Sequence, residues 1–164
     1  MFGLQLAAAH GARVIVTSSS DAKLERARNL GAWQTINYRT QPEWDKVVLD
    51  LTDGKGVDHI LELGGPDTYD RSIAAIAAGG RIAQIGVLTG FALQPNILPL
   101  MFKNASINGI CVGSVEHFQR LNKFLSDHQI HPVLDQVFDF DDVPEAYDRL
   151  KSAAHFGKIV IDLA

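Results

Sequence analysis

Short runs of β-branched and aliphatic residues alternate along this chain with segments of helical periodicity, the signature of a parallel sheet flanked by helices. Residues 13–17 (RVIVT) read as a buried strand. Ser20 then offers a helix N-cap with Asp21 in the first turn, Leu24 and Ala27 mark the inward face, and Gly31 follows as a left-handed stop. A second short strand is predicted at residues 35–38. After it Thr40 and Glu43 are spaced as a capping box, and Trp44, Val47, Val48 and Leu51 fall on one helical face, closed by Gly54 or Gly56.

The same rhythm continues to the end of the chain. Residues 57–63 form a third strand, and Pro66 suits the start of a helix carrying Tyr69, Ile73, Ile76 and Ala77 on one side. Gly79 and Gly80 make the turn into a strand at 81–87, and residues 105–112 supply another. Ser114 caps a helix that packs Phe118, Leu121 and Leu125. The chain changes character between His128 and Pro132, and a tail of strand, helix and strand closes it with KIVIDL. There is no internal repeat. The pattern predicts a doubly wound α/β domain, whose ligand lies beyond the carboxyl ends of the strands.

Composition narrows the class. At 164 residues, 46% hydrophobic and 21% charged, the chain fits one ordinary globular unit. Its net charge is −4 and its 15 Lys and Arg residues are scattered, which argues against nucleic acid as a partner. Cys111 is the single cysteine, so an internal disulfide is impossible and a reducing, cytoplasmic compartment is expected. The opening MFGLQLAAAH lacks a basic start and is interrupted by Gln5, so it reads as part of a helix and not as a leader. Residues 73–93 are the longest apolar stretch, but Arg81 and the Gly79–Gly80 pair interrupt it, so no membrane association is expected.

The residues immediately after each strand carry the chemistry. Ser18, Ser19 and Ser20 stand where a dinucleotide fold selective for NAD places an acidic residue on the adenosine ribose. Small hydroxyls admit a 2′-phosphate that a carboxylate would repel, and Lys23 one turn further on could supply positive charge. That favours NADP(H) over NAD(H), although serines also serve as plain caps and a lysine also sits well in solvent. Tyr38 and Arg39, ending the next strand, are placed to cover an adenine or help hold the phosphate. Leu63, Gly64 and Gly65 after the third strand and Gly86 after the fourth bring side-chain-free backbone to the same rim. Tyr147 and Lys151 have the Y-x-x-x-K spacing of a proton donor and its lysine, yet they lie on an amphipathic helix beside Val143, Ala146 and Leu150, which favours packing for Tyr147. His128 and His131 lack further ligands for a metal and read as surface residues.

The stretches FGLQLA, HGARVIVTSSSDAKLERARNLGA, INYR, GVDHILELGG, GGRIAQIG and EAYDRLKSAAHFGKIVI together resemble the medium-chain dehydrogenase/reductases, in the branch of zinc-type alcohol dehydrogenase-like proteins and quinone oxidoreductases. The resemblance implies a Rossmann-type cofactor domain over residues 1–130 and a segment over 131–164 that packs on a catalytic domain. In such proteins the glycine-rich fingerprint and its strand precede FGLQLA, so this chain is expected to be a C-terminal fragment lacking the first strand, the phosphate-gripping loop and any zinc ligands.

Carried across by resemblance, Ser18, Ser19, Lys23 and Tyr38 match contacts at the adenosine end, and Leu63, Gly64, Gly86 and Val87 match the rim beside the ribose and nicotinamide. Backbone around Ile110 and Val112 matches the strand that recognises the carboxamide, Lys158 matches a basic residue near the phosphates, and Cys111 is expected to be a small buried residue. No residue matches a catalytic one, and zinc is not expected to be bound by this chain. The expected function is the cofactor-binding part of an oxidoreductase that moves hydride to or from a small carbonyl, alcohol or quinone. The alternative is a non-catalytic remnant, or half of a split enzyme completed by a missing N-terminal half. A homo-oligomer is compatible with either.

Overall fold

Each expected strand–helix unit is present in the computed structural model, which describes residues 1–91 and 95–163. The chain runs through α1 (Phe2–Ala9), β1 (Ile15–Ser18), α2 (Asp21–Asn29), β2 (Gln34–Asn37), α3 (Trp44–Leu51), β3 (Val57–Glu62), α4 (Tyr69–Ala75) and β4 (Ile76–Gln84). It continues through α5 (Leu98–Lys103), β5 (Ser106–Gly109), α6 (Val115–Asp127), β6 (Leu134–Asp139), a 3-10 turn at Phe140–Asp142, α7 (Val143–Lys151) and β7 (Lys158–Asp162). All strand pairs are parallel: β1 with β2, then β3 with β4 and β4 with β5, then β6 with β7. Parallel pairing forces each connection to cross over the sheet, which is why a helix stands between successive strands.

The core forms where helices cover the sheets. Ile36, Val48 and Ala75 are buried together, with Trp44, Val47, Leu51 and Ile15 packed around them, so the periodic face of α3 does point inward. Ile73, Ile76 and Ile82 make a second cluster against Leu100, Ala105 and Ile107. Ile60 of β3 touches both clusters and joins them. No helix among the described residues is long and apolar enough to cross a membrane, and Ala92 and Leu93, which end the apolar stretch, lie outside the described residues.

Several expectations are corrected. Ile76 and Ala77 belong to β4, not to the preceding helix, because Ile76 is already extended at ψ 139° and pairs with Val57. Arg81 pairs with His59, so Ala77 to Gly80 form a bulge within the strand, and Gly79, with φ +75°, turns the chain inside β4. Gly56, with φ +81°, permits this early pairing, since a Cβ there would lie 2.5 Å from the Ala75 carbonyl. Lys103 Nζ fixes the junction by donating to the carbonyls of Ile73, Ala74 and Ile76 at 3.1, 2.7 and 2.8 Å, and burial pulls its pKa down.

The Ser20 and Ser114 caps are present, each accepting from the backbone three residues on. The capping box at Thr40 is not: α3 starts after Glu43 without a side-chain cap, and Thr40 donates to Asn37 O instead. The strand expected at 105–112 is shorter at Ser106–Gly109, and Cys111 is exposed beyond it. Of the face expected on α6, Phe118 and Leu121 are exposed, and Leu125 is partly buried together with Phe124. Tyr147, at 65% exposed, does not pack either.

Candidate functional site

Two groups of the singled-out residues stand at the carboxyl ends of their strands. At the first, Ser18 ends β1 and its carbonyl accepts from Tyr38 N at 3.0 Å, which brings the two residues side by side. Ser18 Oγ accepts from Ser20 N at 3.3 Å, and Ser20 Oγ in turn caps α2 at Lys23 N, so Ser18, Ser19 and Lys23 lie along one short bend. Lys23 Nζ donates to Ala153 O of the tail at 2.6 Å. The acidic residue of this corner, Asp21, accepts from Asn37 Nδ2 at 2.7 Å.

The second group joins the ends of β3 and β4. Leu63 O accepts from Leu88 N, and Gly64 O accepts from Thr89 N and Thr89 Oγ1, at 2.8–3.1 Å. Gly86 lies so close that a Cβ there would sit 2.9 Å from Leu63 O, so only glycine allows the two strand-end loops to meet. Val87 Cα is the nearest neighbour to a Cβ on Gly65. Ile110 joins the same end through its N–H to Gln84 O at 2.9 Å, whereas Val112 stands clear at 87% exposed.

Lys158 belongs to neither group. It begins β7, with Nζ 5.6 Å above the Phe2 ring at the start of α1. The Met1 amine is held below its ordinary pKa by its own partial burial and, less strongly, by the charge of Lys158.

Two features escaped the sequence reading. Glu62, at 3% exposed, accepts from Gly64 N at 2.8 Å, Gly65 N at 3.2 Å, Thr68 Oγ1 at 2.7 Å and Ser72 Oγ. A carboxylate ending β3 two residues before a glycine pair was the available signal. The other feature ties the tail down: Asp135 takes a bidentate bond from Arg149 at 2.9 and 3.2 Å and accepts from Phe156 N, which keep its carboxyl below the usual range. Arg26 of α2 lies 4.0 Å from Asp135 and 4.1 Å over the Phe156 ring.

The residues present suit part of a dinucleotide site. Hydroxyls and an ammonium group stand at one strand end, close-packed backbone stands at another, and Gln84 Oε1 is a buried acceptor without a partner beside Gly86. Among the described residues no group of three His, Cys, Asp or Glu side chains could hold a metal ion.

Residues 1–127 match the family described as zinc-binding dehydrogenase. The chain belongs to that family. A zinc-type alcohol dehydrogenase-like protein of Schizosaccharomyces pombe is 45% identical over 99% of this chain and 48% of its own length. The probable quinone oxidoreductase of the same yeast is 30% identical over 96% of this chain and 49% of its own. Among solved structures, an NAD-dependent alcohol dehydrogenase superposes with a TM-score of 0.88 at 34% identity over 98% of this chain and 47% of that one. The quinone oxidoreductase of Pseudomonas syringae gives 0.79 at 27% identity, over 96% of this chain and 51% of that one. This member of the zinc-binding dehydrogenase family therefore has the Rossmann-type parallel α/β architecture of nicotinamide-dependent oxidoreductases, and it spans about half the length of the curated relatives it matches.

Proposed function

We propose that this chain holds NADP(H) for an oxidoreductase that moves hydride to or from a small carbonyl, alcohol or quinone. The observation that carries the cofactor choice is the end of β1, where Ser18 stands in place of a carboxylate, beside Tyr38 and one turn from Lys23. Lysine has three N–H donors, so the one given to Ala153 leaves two for a phosphate. Ser18, Ser19, Lys23 and Tyr38 would hold the phosphorylated adenosine. Leu63, Gly64, Gly86 and Val87 would line the nicotinamide side, with the backbone at Ile110 and Val112 near the carboxamide and Lys158 toward the phosphates. The hydride chemistry belongs to the nicotinamide, and the chain's part is orientation and electrostatics. None of the residues proposed for the nicotinamide side carries an ionisable side chain, so the chain alone is expected to turn over little.

Fluorescence titration with NADPH and NADH tests this. NADPH is expected to bind about tenfold more tightly, the worth of one charge-assisted contact. Equal affinities would remove the case for Ser18 and Lys23. The structural neighbour named for NAD makes this the sharper half of the experiment.

A second reading, a partner-dependent half or a remnant without activity, is favoured by the strand edges: among the described residues β1 pairs only with β2, and β3 only with β4. Binding of neither cofactor would select it. Zinc, if the complete enzyme uses it, would be held outside the residues described here.

A further inference from the structure

Glu62 and Ser72 are the polar residues buried in the core among the described residues, and they touch each other. Taking a carboxylate out of water without a cation is costly, and among the described residues the cost is met by hydrogen-bond donors. The donors come from three places: the N–H groups of Gly64 and Gly65 in the turn after β3, the Thr68 hydroxyl before α4, and the Ser72 hydroxyl within α4. Consecutive backbone N–H groups of this kind form a small anion-binding concavity, and here the chain fills it with its own side chain. Both carboxylate oxygens are thus engaged on the inner side of the turn. Meanwhile the Glu62 carbonyl accepts from Ile85 N at 2.9 Å and Gly86 N at 3.2 Å. One residue therefore fixes the turn to α4 through its side chain and to the end of β4 through its backbone.

Resting on the cofactor reading above, we infer that Glu62 is a positioning residue. Its buried carboxylate holds the turn at residues 63–65 against α4 and so sets the spacing between Leu63 and Gly86 on the nicotinamide side of the site. Glu62 touches no ligand itself. Its removal leaves the adenosine corner at Ser18, Lys23 and Tyr38 intact, because no element of that corner bonds to it.

The experiment compares two probes on the full chain: NADPH, which spans both ends, and the adenosine bisphosphate half of the cofactor, which reaches only one. Glu62→Ala is expected to weaken NADPH by about tenfold while leaving the half-cofactor within about twofold, the scale of a turn losing its buried acceptor. Glu62→Gln keeps an acceptor at Oε1 and is expected to recover most of that loss. If the Ala variant does not fold, Thr68→Val, which removes one Oε1 donor, is read the same way at about threefold. A parallel loss of both probes, no loss of either, or a Gln variant as weak as the Ala variant overturns the assignment. Failure of the unsubstituted chain to bind either probe overturns the cofactor reading along with it.

Discussion

In the NADP(H) proposal Lys23 is the side chain on which cofactor selectivity would turn, because it is a cation one helical turn from Ser18. Lys23→Ala is expected to weaken NADPH about tenfold and leave NADH unchanged, and Ser18→Asp to reverse the order of the two by repelling a phosphate. Parallel titrations of both cofactors check each variant. Asp135 makes a different prediction. Its carboxyl titrates below the ordinary value in the fold, chiefly because Arg149 donates to it, so its stabilisation is complete above the unfolded pKa and is lost as pH falls through the lowered one. Asp135→Asn should cost about 1.5–3 kcal/mol at neutral pH, with the gap to the unsubstituted chain closing below about pH 4 in thermal melts. At this scale the sequence was half legible. Ser18, Gly64 and Gly86 stand at strand ends because backbone direction alone decides that. Cys111 and Tyr147 were misplaced, because exposure depends on what lies above a residue in space and not on its neighbours in the chain.

Elements were easier to find than their boundaries. Ile73 and Ile76 are spaced three apart, as on a helix, and both are at most 1% exposed, so periodicity could not show that the helix ends between them. What ends it is tertiary: Val57 recruits Ile76 into the sheet, and Lys103 caps the freed carbonyls from a distant helix. Ile76→Ala should therefore cost about 2–5 kcal/mol, the usual range for emptying a well-packed site. Gly56→Ala should prevent β3 and β4 from pairing at Val57, since it combines a φ of +81° with a collision against Ala75 O. Denaturant melts measure both. The missing box at Thr40 has a similar origin, because its hydroxyl is taken by the turn that ends β2.

The molecule as a whole carries two kinds of unsatisfied surface. β1 and β3 each have an edge without a partner among the described residues, and Leu88, Phe91 and Val112 are each more than 80% exposed. Sheet edges and bare apolar side chains both promote association. The weight-average mass in sedimentation equilibrium is expected to rise with protein concentration, and a constant monomer mass would contradict this. The tail has the opposite character. It pairs its two strands with each other, and it reaches the rest of the chain through Arg26 to Asp135 and Phe156, Lys23 to Ala153, Gln5 to His131 and Lys158 to Phe2. A cut by a protease at the exposed joint around Gln129 would consequently leave two pieces that still travel together, held by hydrogen bonds and by cations resting on rings and on one carboxylate. Dilution, which acts on any pair of separate pieces, should let them part, and strong salt should hasten it only as far as the Arg26–Asp135 pair contributes.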